Sequence, residues 1–219
     1  MTALVTVQVI FDLDGTLIDS APDLQHALNR MLAGYGCEPL PLVKVRAMVG
    51  DGAGVLIERA LAACGLPVSA HSEALGAFLA FYNQDPVIHT QLYPGVVETL
   101  ERLAQRGHRL ALCTNKPEAP AREILARMQL AHYFPQVAGG DTFPFRKPDK
   151  RMLLALLEAT GVAPDRAVLV GDSEVDSATA LNAQVPFVLM SYGYHRAPLA
   201  QISSHAVLED LRVLPDLLV

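Results

Sequence analysis

Short apolar runs alternate along the chain with longer segments in which apolar residues recur at helical spacing. The runs that predict β-strands cover residues 5–11, 108–114, 136–140, 167–171 and 186–190. The segments that predict helices between them cover residues 96–106, 117–128, 149–160 and 174–183. Strands that are apolar along their whole length are typical of parallel sheets buried on both faces. The alternation therefore predicts an α/β protein whose doubly wound parallel sheet has helices on both sides.

This alternation is interrupted directly after the first strand. The stretches with helical spacing in the interruption are residues 21–36, 52–65 and 72–84. None of the interruption reads convincingly as a strand, so we predict an inserted α-helical cap domain of about four helices. The prediction is a Rossmann-like core formed by residues 1–18 and 87–219, with the cap formed by residues 19–86 above the carboxyl edge of the sheet.

The composition excludes several classes of function. The 219-residue chain has a formal net charge of −6, which argues against non-specific binding to nucleic acids or to a membrane surface. No apolar run approaches the ~20 residues needed to span a bilayer. The three cysteines have no metal-binding or redox spacing, and the first ten residues read as a strand rather than a signal peptide. We therefore expect a cytoplasmic protein, either a monomer or a homodimer, with no nucleic-acid or membrane partner.

Two acidic residues, Asp12 and Asp14, follow the first predicted strand. In an extended chain, residues two apart point to the same side, so both carboxylates would face one site. Aspartates also occur there simply as turn or cap residues. Because ligands of open α/β sheets bind outside the carboxyl ends of the strands, the other strand ends decide between the two interpretations.

Those other ends also carry polar residues that suit a phosphorylated ligand. Thr114 and Asn115 follow the second strand, Lys147 precedes a predicted helix, and Asp172 and Asp176 follow the strand at 167–171. Helix capping explains some of these residues one by one. Together, carboxylates from two strand ends predict a Mg²⁺ ion, and the Thr, Asn and Lys predict an anion held against it. This combination predicts a phosphoryl-transfer site that takes a small phosphorylated metabolite.

Four segments, in this order, are similar to the four motifs of the haloacid dehalogenase superfamily. They are "DLDGT" (12–16), "LCTN" (112–115), "RKP" (146–148) and "GDSEVD" (171–176). Within that superfamily, "TNKP", the cap segment "MVGDGAGVLIERAL" and "SYGYHR" resemble the phosphoglycolate phosphatases. The resemblance implies a Mg²⁺-dependent phosphomonoester hydrolase that forms an aspartyl phosphate, with 2-phosphoglycolate as the first expected substrate.

The resemblance also implies a role for each acidic residue. Asp12 would be the nucleophile, and Asp14 would protonate the leaving alcohol and then activate the hydrolytic water. The carboxylates of Asp12 and Asp172 and the backbone carbonyl of Asp14 would bind the metal, with Asp176 supporting the metal shell. Thr114 and Asn115 would hydrogen-bond the phosphoryl oxygens. Lys147 would offset the negative charge of the nucleophile and the phosphate.

The cap is expected to contribute the contacts that select the substrate. Its basic residues Arg46 and Lys44 lie near tight turns, so we expect one of them to bind the substrate carboxylate. Phosphoglycolate phosphatases often have asparagine where this chain has Asp51. Asp51 would either add a negative charge near the doubly anionic substrate or point to solvent. Asp19 reads as part of the hinge into the cap, without a catalytic role.

Several alternatives stay open at this point. They are a phosphatase of sugar phosphates, nucleotides or pyrophosphate, a phosphomutase, and a phosphate-binding protein without turnover. A dehalogenase is disfavoured because its first motif lacks the second acid, which is Asp14 here. A phosphonate hydrolase would need a Schiff-base lysine in the cap, where Lys44 is the only candidate.

Overall fold

The computed structural model describes residue 5 and residues 7–218. Within them, six parallel strands form one sheet in the order β5-β4-β1-β6-β7-β8. These strands are β1 (Gln8–Phe11), β4 (Arg109–Cys113), β5 (Gln136–Ala138), β6 (Ala167–Gly171), β7 (Phe187–Met190) and β8 (Ala206–Leu208). The predicted α/β fold with a parallel sheet is confirmed.

Strand β1 lies in the middle of the sheet. Its last residue, Phe11, pairs with Leu112 of β4 on one side and with Val170 of β6 on the other. The three strands are parallel, so their carboxyl ends meet at one edge. Whatever follows Phe11, Cys113 and Gly171 in the chain is therefore brought together there.

Successive residues of β1 supply two separate cores, because side chains of a strand alternate between its faces. Val9 and Phe11 pack on one face, and Ile10 packs on the other. The sheet-flanking helices are α5 (Val96–Gln105), α6 (Glu118–Arg127), α7 (Lys150–Glu158), α8 (Glu174–Ala183) and α9 (Leu214–Leu217). Helices α5, α6 and α9 join the core of Val9 and Phe11, whereas α7 and α8 join the core of Ile10.

The segment between β1 and α5 is helical and has a hydrophobic cluster of its own. Its helices are α1 (Ala21–Ala33), α2 (Leu42–Arg46), α3 (Ala53–Ala63) and α4 (His71–Tyr82). Leu28, Ile57 and Phe78 are buried at the centre of this cluster. Helix α2 is an addition to the three helical stretches that the sequence pattern indicates. The domain boundaries after residues 18 and 86 stay a prediction.

Both connections between this helical segment and the sheet run through one short ribbon. Strand β2 (Ile18–Asp19) pairs antiparallel with strand β3 (Gln91–Leu92). Next to the ribbon, the buried carboxylate of Asp23 accepts hydrogen bonds from the backbone N–H groups of Ile88, His89 and Thr90. The outgoing and returning chains are thus fastened to each other before the core begins.

The strand at 5–11 is shorter than predicted, beginning at Gln8. Residues 1–4 and 6, which the sequence assigned to the core, lie outside the described residues, as does residue 219. The last strand of the sheet, β8, was not predicted. It has only three residues, and its middle residue, Val207, is exposed. In the part of the chain that the structure describes, no helix is both long and apolar enough to cross a membrane.

Candidate active site

Acidic and basic side chains from three segments meet at the carboxyl edge of the sheet. Asp12 and Asp14 follow β1, Asp172 follows β6, and Lys147 lies just before α7. The apolar residues of β1 are fully buried, which fixes the backbone that carries Asp12 to the edge. The structure brings together the residues that the sequence had grouped from separate strand ends.

Lys147 lies between two carboxylates. Its Nζ is 3.0 Å from Oδ1 of Asp12 and 2.6 Å from Oδ1 of Asp176, and all three side chains are buried. Burial alone lowers the pKa of the Lys147 ammonium, but the attraction of both carboxylates outweighs it and raises the pKa above its ordinary value. Burial raises the pKa of Asp12 to about 6, although Lys147 opposes this shift.

Asp172 is held in a tight backbone cradle. It accepts a hydrogen bond from the Thr16 hydroxyl at 2.7 Å and another from the backbone N–H of Tyr194 at 2.7 Å. A Cβ added at Gly15 or at Gly193 would lie 2.7 Å or 2.5 Å from Cγ of Asp172. Burial, followed by repulsion from other carboxylates, raises the pKa of Asp172 well above its ordinary value. The glycines are needed so that this carboxylate fits against the backbone.

The three buried acids Asp12, Asp172 and Asp176 form a group that fits a divalent cation. One carboxylate oxygen from each lies within 4.8 Å of the others. Hard carboxylate oxygens are the ligands that Mg²⁺ takes in proteins, and a cation among them would offset the repulsion between these carboxylates. Asp176 is already engaged, since its Oδ2 accepts N–H bonds from Asp172 and Ser173 and caps helix α8 with Ser173.

The Asp14 carboxylate has partners outside this group. Its carboxylate accepts hydrogen bonds from Lys116 Nζ, at 2.9 and 3.1 Å, and from the Ser20 hydroxyl. Asp12 and Asp14 therefore differ in surroundings, because Asp12 lies among carboxylates and Lys147, whereas Asp14 is bonded to Lys116 and Ser20. This difference suits two carboxylates with different chemical roles.

Thr114 and Asn115 lie at the predicted place after β4. The Thr114 hydroxyl accepts the backbone N–H of Lys116, and its own proton stays available to a ligand. The side-chain amide of Asn115 donates to the carbonyl oxygens of Gly50 and Lys147, both at 3.1 Å. The Asn115 side-chain amide is thus engaged by two protein carbonyls, and the expectation that Asn115 hydrogen-bonds the phosphoryl oxygens stays a prediction.

The structure does not bring Arg46 and Lys44 to the cleft that Asp12 and Asp14 line. Helix α2 is short, and Val45 is its buried residue. Lys44 is exposed, and Arg46 forms an ion pair with Asp19 at 2.6 Å. Neither residue lines this cleft, and the expectation that one of them binds the substrate carboxylate stays a prediction.

Asp51 is held by two arginines rather than free in solvent. It forms ion pairs with Arg59 at 2.6 Å and with Arg196 at 2.8 Å. Two guanidinium groups neutralise the charge that would otherwise disfavour an anionic ligand. Asp51 therefore gives no reason against such a ligand.

Three residues that shape the site stand in the quoted segments but received no role of their own from the sequence: Lys116, Thr16 and Tyr194. Lys116 lies two residues after Thr114, and in an extended chain this spacing places both side chains on the same side. Thr16 bonds Asp172 across 156 positions of the chain, and no local pattern reports such a contact. The Tyr194 hydroxyl bonds Asp19 at 2.6 Å and joins the ribbon to the site.

Comparison with known proteins agrees with this geometry. The family model of haloacid dehalogenase-like hydrolases matches residues 9–190. A phosphoglycolate phosphatase of Rhodospirillum rubrum is 49% identical over 95% of this chain and 89% of its own length. Phosphoglycolate phosphatase 1 of Pseudomonas aeruginosa is 42% identical over 94% of this chain and 77% of its own length.

A solved structure has the same architecture. The crystal structure of a predicted phosphoglycolate phosphatase from Haemophilus somnus superposes with a TM-score of 0.92. It is 31% identical in sequence, and the match covers 96% of this chain and 97% of that one. The resemblance drawn from the four short motifs is confirmed, and the chain belongs to the haloacid dehalogenase-like hydrolases.

Proposed function

We propose that this protein is a Mg²⁺-dependent phosphatase that converts 2-phosphoglycolate to glycolate and phosphate through an aspartyl phosphate. The observation that carries the proposal is the pair of carboxylates two residues apart in unlike surroundings. Asp12 is buried beside Lys147, whereas Asp14 is bonded to Lys116 and Ser20. The curated relatives named phosphoglycolate phosphatase support the choice of substrate.

In this mechanism an Asp12 carboxylate oxygen attacks phosphorus, and the ester P–O bond breaks. Asp14 gives its proton to the leaving alkoxide, so that glycolate departs as an alcohol. Water then attacks the phosphorus of the acyl phosphate and passes a proton to Asp14, which releases phosphate and restores Asp12. Lys147, 3.0 Å from Asp12, balances the negative charge of the nucleophile and the phosphoryl group.

The carboxylates of Asp12 and Asp172, with the backbone carbonyl of Asp14, would hold Mg²⁺. The bound ion would neutralise charge between the carboxylate nucleophile and the dianionic phosphoryl group. Asp176 supports the metal site indirectly, because one of its oxygens accepts a hydrogen bond from Lys147 and the other accepts one from Ser173 at the start of helix α8. It fixes Lys147 and the start of helix α8 rather than receiving the substrate.

The proposed function is tested by release of inorganic phosphate with and without Mg²⁺. We expect the highest kcat/KM for 2-phosphoglycolate in a panel with a sugar phosphate, a nucleotide and pyrophosphate. Asp12→Asn should abolish release, whereas Asp165→Asn, a change at an exposed acid, should not. Borohydride reduction during turnover should place homoserine at residue 12. A panel in which another ester is preferred would refute the substrate, and activity retained in Asp12→Asn would refute the mechanism.

A further inference from the structure

A cleft lies between the catalytic edge and the helical segment, with an empty volume of about 550 Å³ that includes space open to solvent. Asp12, Asp14, Thr114 and Asn115 form its floor. The side opposite the floor is mostly apolar, and it is lined by Leu24, Val49, Ala53, Leu56, Phe78 and Leu79. A ligand whose phosphoryl group sits on the floor thus extends into surroundings with few polar partners.

Lys116 is the only basic residue among the described residues that line this cleft. Its side chain is 4% exposed, and its two contacts to Asp14 leave one of three ammonium N–H groups without a carboxylate partner. Burial alone lowers the pKa of Lys116, but Asp14 raises it above its ordinary value. Lys116 is therefore a fixed positive charge beside the path from Asp14 into the cleft.

Tyr82 supplies a second polar group at the same place. Its ring stacks on Phe78 at a centroid distance of 5.8 Å, and Lys116 Nζ lies 4.9 Å from the ring centroid. The residue is 3% exposed, and the polar group beside its hydroxyl is the Lys116 ammonium. An ammonium cannot accept a hydrogen bond, so the hydroxyl proton has no acceptor among the described residues, and a ligand oxygen at this point would supply one.

We propose that the Lys116 ammonium and the Tyr82 hydroxyl form the subsite for the carboxylate of a small phosphorylated acid whose phosphoryl group is received by Asp12. The inference rests on the proposed phosphatase function and names the residues that select its substrate. A carboxylate matches both groups, because it accepts one charge-assisted bond and one hydroxyl bond. A sugar would instead place hydroxyl groups against the apolar side of the cleft.

The test compares two esters that differ only at the far end, 2-phosphoglycolate and 2-hydroxyethyl phosphate. For Lys116→Met, we expect the ratio of their kcat/KM values to fall about 100-fold, because a charge-assisted bond is lost. Lys116 also touches Asp14, so turnover of both esters falls, and the ratio removes this shared effect. For Tyr82→Phe, which leaves the contact between Lys116 and Asp14 in place, we expect the ratio to fall about tenfold.

Matched controls separate the subsite from general damage. Lys150→Met removes an exposed lysine, and Tyr35→Phe removes another buried hydroxyl without a partner in the helical segment. Neither should change the ratio. If Lys116→Met and Tyr82→Phe lower the two kcat/KM values equally, the subsite proposal is overturned while the phosphatase function stands.

Binding measured without turnover distinguishes failure of the subsite from failure of the proposed function. Calorimetric titration of Asp12→Asn with 2-phosphoglycolate should give a dissociation constant about 100-fold lower than that of Asp12→Asn combined with Lys116→Met. An equal dissociation constant in the two proteins would overturn the subsite. A large difference in binding, together with no phosphate release by the unmodified protein, would uphold the subsite and refute the proposed function.

Discussion

Replacing Lys147 with methionine removes the one cation that lies between Asp12 and Asp176. At 3.0 and 2.6 Å, with an effective dielectric constant near 20, each attraction amounts to roughly 5 to 6 kcal/mol. Burying the ammonium offsets part of this sum. Removal of one partner from a buried ion pair costs about 3–5 kcal/mol, because the remaining charge is left uncompensated. We expect the free energy of unfolding at pH 7.5 to fall by that amount in the absence of Mg²⁺.

The cost should depend on pH in a definite direction. Asp12 has a folded-state pKa of about 6, above its ordinary value of 3.8. A carboxyl group with a raised pKa stabilises the fold below the unfolded-state pKa, and this contribution is lost as the pH rises through the folded-state pKa. Loss of Lys147 raises the Asp12 pKa further, so Asp12 becomes protonated at a higher pH than in the unmodified protein. The penalty for Lys147→Met should therefore shrink between pH 7.5 and pH 5.5.

Urea unfolding followed by far-ultraviolet circular dichroism measures this effect, since the chain contains no tryptophan for fluorescence. Lys150→Met is the matched control, because Lys150 is an exposed lysine near Lys147 in the chain. Saturating Mg²⁺ at pH 7.5 should restore part of the lost stability by supplying positive charge to the same carboxylates. Equal urea midpoints for the two variants at both pH values would refute the argument that Lys147 compensates buried charge.

Three further changes have definite expected outcomes. Gly193→Ala places a Cβ 2.5 Å from Cγ of Asp172, so the Mg²⁺ concentration for half-maximal activity should rise at least about tenfold, whereas Gly76→Ala, with open space around it, should leave it unchanged. Protonation of Asp12 and of Asp172 competes with the metal, so Mg²⁺ affinity measured by calorimetry should fall at least about tenfold per pH unit below about 6. Asp23→Ala leaves three backbone N–H groups without their acceptor, and the free energy of unfolding should fall by about 2–4 kcal/mol, as read from urea midpoints.

The sheet could be predicted because its evidence is local. Strands such as β6 are apolar throughout, and each is followed by a segment with helical spacing. The same reasoning missed β8, since three residues with an exposed centre have too little pattern to distinguish them from a loop. What makes β8 a strand is its pairing with β7, a contact formed only in the folded sheet.

In the candidate site too, local patterns predict some residues, whereas the placement of others depends on tertiary contacts. Asp12, Asp14 and Asp172 could be predicted because they directly follow strands whose ends must meet. The orientation of Arg46 could not, because it depends on which side of α2 is buried and on the ion pair with Asp19. The contact of Lys116 with Asp14 likewise joins residues 102 positions apart, beyond the reach of a local pattern.

The β2–β3 ribbon has a consequence for how such a chain can change over time. Because the ribbon holds the outgoing and returning chains together, the sheet meets the same two anchored ends whatever lies between them. The entropy of closing a loop grows slowly with length, by about 0.6 kcal/mol for each doubling. An insertion or deletion between Asp19 and Gln91 therefore changes the free energy of folding of the core little. The ribbon is a graft point at which a helical insert can be exchanged for another while the edge that carries Asp12 keeps its shape.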